Sequence, residues 1–154
     1  MESTSNASLT TAKKVNDVRK GDIILFDSKY PCKIISISIS KTGKHGHAKA
    51  AMVGIDIFTG KKHEGVFPTS HSVEEVVVNV EKYSLLNITD DDYLSLLLDG
   101  SDKTKEDFKL NRDNENDCGL IEMFEKLKDG ELMYVNILTA MDMEKIHNYA
   151  LDTN

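Results

Sequence analysis

The chain has 154 residues, 40% of them apolar, which suits one ordinary domain or two small packed ones. Its 26 Asp and Glu outnumber 19 Lys and Arg, and the net charge of −7 argues at first against a protein whose business is nucleic acid. No apolar run nears the roughly 20 residues of a membrane span, and the N-terminus has neither the basic start nor the apolar stretch of a signal peptide.

Residues 1–14 hold only Met1 and Leu9 as larger apolar groups, so they are expected to form a flexible tail. Ile23-Ile24-Leu25-Phe26, bounded by Gly21-Asp22 and Asp27-Ser28, reads as a buried strand between turns. Residues 33–40 (KIISISIS) alternate Ile35, Ile37 and Ile39 with Ser36, Ser38 and Ser40, which predicts a strand with one buried and one polar face. A second strand is expected over residues 48–58, with Val53, Ile55 and Ile57 on one face. Another is expected over 74–80, where Val76, Val78 and Val80 alternate with Val77 and Asn79.

Beyond Tyr83 a second series begins. Residues 85–88 and 93–98 read as strands joined by the acidic turn Asp90-Asp91-Asp92, followed by a short strand at 108–110 and a polar loop at 111–117. Leu120, Ile121, Phe124 and Leu127 form one stripe of an amphipathic helix, with Asp117 as N-cap, Lys126 and Lys128 in the last turn and Gly130 as the stop. Residues 132–138 predict a further strand, and Ile146, Tyr149 and Ala150 predict a short C-terminal helix from about Asp142. Many short strands with little helix indicate a mainly β protein of two small barrels in tandem, 15–83 and 84–154. The second, with a helix inserted before its last long strand, has the look of an OB-fold.

Cys32 and Cys118 are isolated from each other, so neither a zinc ribbon nor a disulfide framework is indicated. Both are expected to be buried small hydrophobes in a reduced, intracellular protein.

The net charge conceals an asymmetry. Residues 1–83 carry 12 basic and nine acidic side chains, whereas residues 84–154 carry seven basic and 17 acidic ones. Within the first half, residues 28–55 contain no Asp or Glu but hold Lys29, Lys33, Lys41, Lys44 and Lys49. Gly43 and Gly46 flank Lys44 and His45, which allows turn conformations closed to other residues. The two strands on either side are expected to project this loop, leaving Lys44 exposed and unpaired at the end of a hairpin arm. Positive charge on such a tip suits a phosphate backbone or an anionic cleft. The bland alternative is a solvated hairpin turn. Catalysis by Lys44 would need a desolvating pocket to lower its pKa, which a hairpin tip lacks. His45 and His47 have no third metal ligand nearby, since His63, His71 and His147 are scattered. A strand follows the loop where a phosphate-binding P-loop requires a helix.

Lys41-Thr42-Gly43-Lys44-His45-Gly46-His47-Ala48-Lys49 resembles the modification loop of the hypusine-containing translation initiation factor 5A family of eukaryotes and archaea, relatives of bacterial elongation factor P. The resemblance continues through Pro31-Cys32-Lys33-Ile34, through residues 53–62 (VGIDIFTGKK), through Tyr93-Leu94-Ser95-Leu96-Leu97 and through Leu138-Thr139-Ala140-Met141. It departs at Ser38-Ile39-Ser40, at Ala50-Ala51-Met52 and at residues 110–119 (LNRDNENDCG), none of which touches Lys44 or its glycines.

The resemblance implies an N-terminal SH3-like barrel carrying the hypusine loop and a C-terminal OB-fold. It implies a non-enzymatic, cytoplasmic factor without a cofactor or metal. Lys44 is then the residue converted to hypusine by deoxyhypusine synthase, using spermidine, and by deoxyhypusine hydroxylase. Lys41, Thr42, Gly43, His45, Gly46, His47 and Lys49 would contact rRNA, ribosomal proteins or the acceptor end of peptidyl-tRNA. The implied role is to promote peptide bonds at stalled, notably polyproline, sites and to assist termination. The resemblance leaves homodimerisation and nuclear shuttling open. The competing reading is a general single-stranded RNA-binding module using the OB-fold, against which the acidic second half weighs.

Overall fold

The structure, a computed structural model, describes residues 9–41 and 47–152. The chain divides into two units, one running to Val78 and including Ala140–Asp142, the other Asn79–Thr139 with the residues from Met143 onward. The first contains β1 (Thr10–Lys14), a 3-10 turn (Val15–Asp17), β2 (Ile23–Phe26), β3 (Tyr30–Lys41), β4 (Ala48–Asp56), β5 (Lys62–Pro68) and β6 (Ser72–Val76). Its strands follow the order β1-β6-β2-β3-β4-β5. The second contains β7 (Asn79–Ile88), β8 (Leu94–Leu98), β9 (Thr104–Lys105), α1 (Glu115–Glu125), β10 (Leu132–Ala140) and β11 (Met143–Asp152), with sheet order β11-β10-β7-β8-β9.

The expected tail does not include residues 10–14. Residues 1–8 lie outside the described residues, but Thr10–Lys14 is a strand paired with β6 from Thr10↔Val76 to Lys14↔Ser72. Its side chains are too polar to announce burial, yet pairing gives its backbone partners. Lys13 is held by Asp22 at 2.9 Å and Glu75 at 3.4 Å. The strand expected over 74–80 is two strands, because Val77 and Val78 leave the ladder between β6 and β7. The expected boundary at 83/84 therefore falls inside β7, since a run of valines carries no turn residue to mark the change of sheet.

In the first unit, Val15, Val18, Ile24, Phe26, Cys32, Ile34, Ala50 and Met52 form the core. Two facing expectations are corrected here. β3 carries a bulge between Ile34 and Ser36, so that Ile34 points inward and the extra residue, Ile35, stands 47% exposed. On β4 the inward residues are Ala50, Met52, Gly54 and Asp56, whereas Val53 and Ile55 lie on the other face. A side chain at Gly54 would collide with Cys32 and Phe26 inside.

The second unit buries Tyr83, Leu85, Leu94, Leu96, Phe108, Leu110, Leu120, Ile121, Met133, Val135, Ile137 and Ile146. β7 has its own bulge between Leu85 and Asn87, which turns Leu86 outward. The expected strand at 108–110 is reduced to a single bridge, Lys109 with Tyr93. Edge strands β9 and β11 are linked by Lys105, whose ammonium reaches Glu144 at 2.7 Å and Asp107 at 2.7 Å.

The C-terminal helix expected from Asp142 is absent; residues 143–152 are β11. Met141 and Asp142 both adopt positive φ, 51° and 61°, the conformation of a two-residue hairpin turn, and they fold β11 back on β10. The helical spacing of Ile146, Tyr149 and Ala150 serves packing instead: Tyr149 lies against Gly119 of α1, and the Ile146 carbonyl accepts from Asn116 Nδ2 at 3.1 Å.

α1 starts before the expected cap. Asn114 is the N-cap, its Oδ1 accepting from Asn116 N at 2.8 Å and Asp117 N at 3.1 Å. Asp117 is instead buried and accepts from Asn111 N at 2.8 Å. Burial raises its carboxyl pKa, and the Asn111 hydrogen bond only partly opposes that. The helix ends at Glu125, so Lys126 is its C-cap and Lys128 lies beyond it. Cys32 is fully buried, and burial pushes its thiol up to about 11. Cys118 is only half-buried, its thiol donating to the Arg112 carbonyl at 3.0 Å.

Replacing Asn114→Ala removes the cap and is expected to cost about 1 kcal/mol, read as a lower urea midpoint at unchanged m-value. A second expectation concerns acid. Burial alone would raise the Asp22 carboxyl, but the Arg19 backbone N–H and the Lys13 ammonium outweigh it and hold it below its ordinary 3.8. A depressed carboxylate stabilises the fold above its unfolded pKa and loses that contribution as pH falls through the folded value. The stability gap between the native chain and Asp22→Asn should therefore be widest near neutral pH and close below about pH 4 in urea titrations. A gap that persists there would contradict the assignment.

Candidate functional site

The acid-free window corresponds to the β3–β4 hairpin. Its pairing runs from Cys32↔Asp56 through Ser40↔Lys49 to Lys41↔Ala48, the last pair before the connection of residues 42–47. Thr42, Gly43, Lys44, His45 and Gly46 lie outside the described residues. Lys41, His47 and Lys49 are described, and all three are exposed. Lys41 and Lys49 occupy successive register positions, so they project from opposite faces of the arm. Among the described residues no ion pair involves either lysine.

The arm is not a free two-stranded ribbon. β5 pairs with β4 as far as Lys49↔Pro68, one position short of the last β3–β4 pair. Beyond Pro68 the Thr69 backbone N–H and its hydroxyl both donate to the Ala48 carbonyl, at 3.1 and 3.3 Å. The base of the loop is thereby clamped on its β4 side.

What holds the arm is on its inner face. Register aligns Ile34 with Gly54 and His63, Ile37 with Met52 and Gly65, and Ile39 with Ala50 and Phe67. The Phe26 and Phe67 rings fill the space left by the two glycines. A Cβ on Gly54 would lie 3.3 Å from Phe26 and 2.8 Å from Cys32 Cβ, and one on Gly65 would lie 2.9 Å from Phe67. Phe26 meets Phe67 edge to face, with centroids 5.8 Å apart. His63 stacks on Tyr30 at 4.6 Å. Ile39, in the last inward row, is left 57% exposed.

The outer face is polar at β3 and cationic at both ends. Lys33, Ile55 and Lys62 share one row, and Ser40, Lys49 and Pro68 another, with Ser36 and Ser38 between. Glu64 is the one acidic residue along these paired rows, and it sits 3.8 Å from Lys62. At the opposite end Asp56 is buried and its carboxylate accepts from Phe58 N at 2.8 Å and Thr59 N at 3.2 Å, which shapes the β4–β5 turn.

The supports of the arm lie outside the motif. Gly54 inside an otherwise apolar strand was the available signal, because glycine there marks a close approach. Nothing in the local sequence announced the Thr69–Ala48 clamp.

A family model described as translation initiation factor 5A-like, N-terminal, matches residues 8–71. Another, described as eukaryotic elongation factor 5A hypusine, DNA-binding OB fold, matches residues 77–149. The chain is 41% identical over 142 residues to eukaryotic translation initiation factor 5A-2 of Medicago sativa, covering 92% of this chain and 86% of that protein. It is likewise 41% identical over 145 residues to eukaryotic translation initiation factor 5A-1 of Arabidopsis thaliana, covering 94% and 89%. A translation initiation factor eif-5a family protein from Naegleria fowleri superposes with a TM-score of 0.79 at 39% identity, covering 92% of this chain and 99% of that one. The translation initiation factor 5A of Methanococcus jannaschii gives 0.68 at 30% identity, covering 92% and 97%. These findings agree with two tandem β-barrels, the second an OB fold.

Because no relaxed position exists for a Cβ between Cys32 and Phe26, Gly54→Ala is expected to cost about 1–3 kcal/mol. Loss of the two Asp56 acceptor contacts in Asp56→Ala should cost a similar amount, since two backbone N–H groups lose their partner. Thermal melts of both variants read these effects, and unchanged midpoints would show that the arm does not depend on either residue.

Proposed function

The chain belongs to the translation initiation factor 5A family, and from that premise we propose that Lys44 carries hypusine and that the β3–β4 arm presents it to the ribosome. The factor acts beside the peptidyl-tRNA and promotes peptide-bond formation at stalled sites, notably polyproline, and termination. Its relatives are named as translation factors, with which a non-enzymatic role agrees. Deoxyhypusine synthase and deoxyhypusine hydroxylase are the modifying enzymes, and the setting is cytoplasmic.

The observation that carries this reading is the Lys41-to-Lys49 sequence joining the two strands of an arm with no acidic residue between positions 28 and 55. Adding an aminobutyl group to Lys44 gives a longer dication on a support that repels no phosphate. Such a group holds an RNA end by charge, without reading bases. Lys41, His47 and Lys49 add contacts at its base, and Thr42, Gly43, His45 and Gly46 complete the loop.

The energetics suit a factor that supplies position and no reacting group. A hundredfold rescue of a slow peptide bond corresponds to about 2.7 kcal/mol. Orientation of two reactants can supply roughly 7–11 kcal/mol. A general single-stranded RNA-binding role for the second unit is disfavoured, because residues 84–154 carry 17 acidic against seven basic side chains.

Mass spectrometry of the tryptic peptide containing Lys44, from the native host, should show the added hypusine mass; an unmodified lysine would refute the modification. Lys44→Arg keeps one charge but cannot accept the aminobutyl group. It is expected to lose rescue of polyproline synthesis while keeping its melting temperature, and full rescue by that variant would overturn the mechanism.

A further inference from the structure

The second unit carries an open groove of about 280 Å³ between the β7–β8 turn, the segment preceding α1, and α1 itself. Ile88, Ile121 and Phe124 give it an apolar floor, and Asp90, Asp92, Arg112 and Glu125 stand around it. The charged groups fall into two sets. Asp92 is occupied by Arg112, which donates to both its oxygens at 2.8 and 2.9 Å. Asp90 and Glu125 make no hydrogen bond or ion pair among the described residues, although Glu125 lies within electrostatic range of Arg112.

The end of the helix adds to the same field, since α1 carries no basic side chain in its last turn. Glu125 is its final residue, so the groove flanks the negative end of the helix dipole. Lys126, at the C-cap, does not line the groove. An apolar floor under unpaired carboxylates and helix carbonyls suits a cation attached to an apolar body. A polyamine would answer the charge and leave Ile88 and Phe124 uncovered, and a nucleic acid would meet like charge.

We propose that this groove docks a basic-apolar peptide segment of a partner protein. A lysine or arginine of that segment sits toward Asp90 and Glu125, and a neighbouring leucine or phenylalanine packs on Ile88, Ile121 and Phe124. The site uses no residue of the arm, and a groove this small fits a weak, transient contact.

The test is fluorescence anisotropy on the full chain with a short capped peptide in which lysine alternates with leucine and phenylalanine. Controls are an all-lysine peptide of equal charge, spermidine and an oligouridylate. The mixed peptide should bind, and Asp90→Lys combined with Glu125→Lys should weaken it about tenfold; both residues are exposed, so an unchanged urea midpoint verifies the fold. Methyl chemical shifts of Ile88 and Ile121 should move on titration. The proposal is overturned if the all-lysine peptide binds as tightly or the double variant binds normally. It is equally overturned if the shifts fall elsewhere, if spermidine or the oligouridylate displaces the peptide at matched concentration, or if the groove proves to be covered by a second copy of the chain.

Discussion

The first unit is organised around one steric constraint, the Phe26 ring lodged against Gly54 and packed edge to face on the Phe67 ring that closes over Gly65. Burying such a ring contributes about 1.5–3 kcal/mol, and it does more than fill space. It allows β4 to pair with β3 on one side and β5 on the other while all three strands stay over the same core. With β4 held on both edges, the hairpin runs past the core to Lys41 and Ala48 without becoming a free ribbon. The composition of β4 follows from this: its inner face is Ala50, Met52 and Gly54, and its larger β-branched residues are turned away.

That constraint also explains what could be read from the chain beforehand and what could not. The strands at Ile23–Phe26, Tyr30–Lys41, Ala48–Asp56 and Leu94–Leu98 and the stripe of α1 were legible, because hydrophobic periodicity reports them directly. Which face points inward on β3 and β4 was not legible. Periodicity gives alternation without direction, and the direction depends on Phe26 and on an extra residue at Ile35. β1 was hidden because its polar side chains contribute little apolar burial, and its stability rests on backbone pairing and on Lys13. β11 was misread because Ile146, Tyr149 and Ala150 happen to fall at helical spacing, while the turn at Met141 and Asp142 uses neither glycine nor asparagine. Of the candidate site, the motif is visible in the sequence, whereas the supports of its two strands depend on contacts far apart in sequence.

Charge separates the two units by purpose. In the first, lysines mark both ends of the outer face of β3–β5, and serines occupy the rows between them on β3. In the second, acidic side chains outnumber basic ones by 17 to seven, and Glu125 stands at the negative end of the α1 dipole. The overall −7 averages these opposed surfaces into a figure that describes neither. Surface ion pairs such as Lys62–Glu64, at 3.8 Å and well exposed, contribute little to stability, so the pattern is better understood as recognition than as reinforcement.

The bulge at Ile35 has a meaning for how this arm can change over generations. Without Ile35, residues 33–40 would read as an unbroken alternation, with Ile34, Ile37 and Ile39 facing in and Lys33, Ser36, Ser38 and Ser40 facing out, the same facing that the bulged strand shows. Loss of that single codon would preserve the identity of both faces and alter only the local bend and twist of the strand. Loss of a codon between Ser36 and Ser40 would exchange the faces of whatever part of the strand it displaced. The bulge thus concentrates the arm's tolerance for length variation at one position, where a deletion re-aims the tip without turning it over.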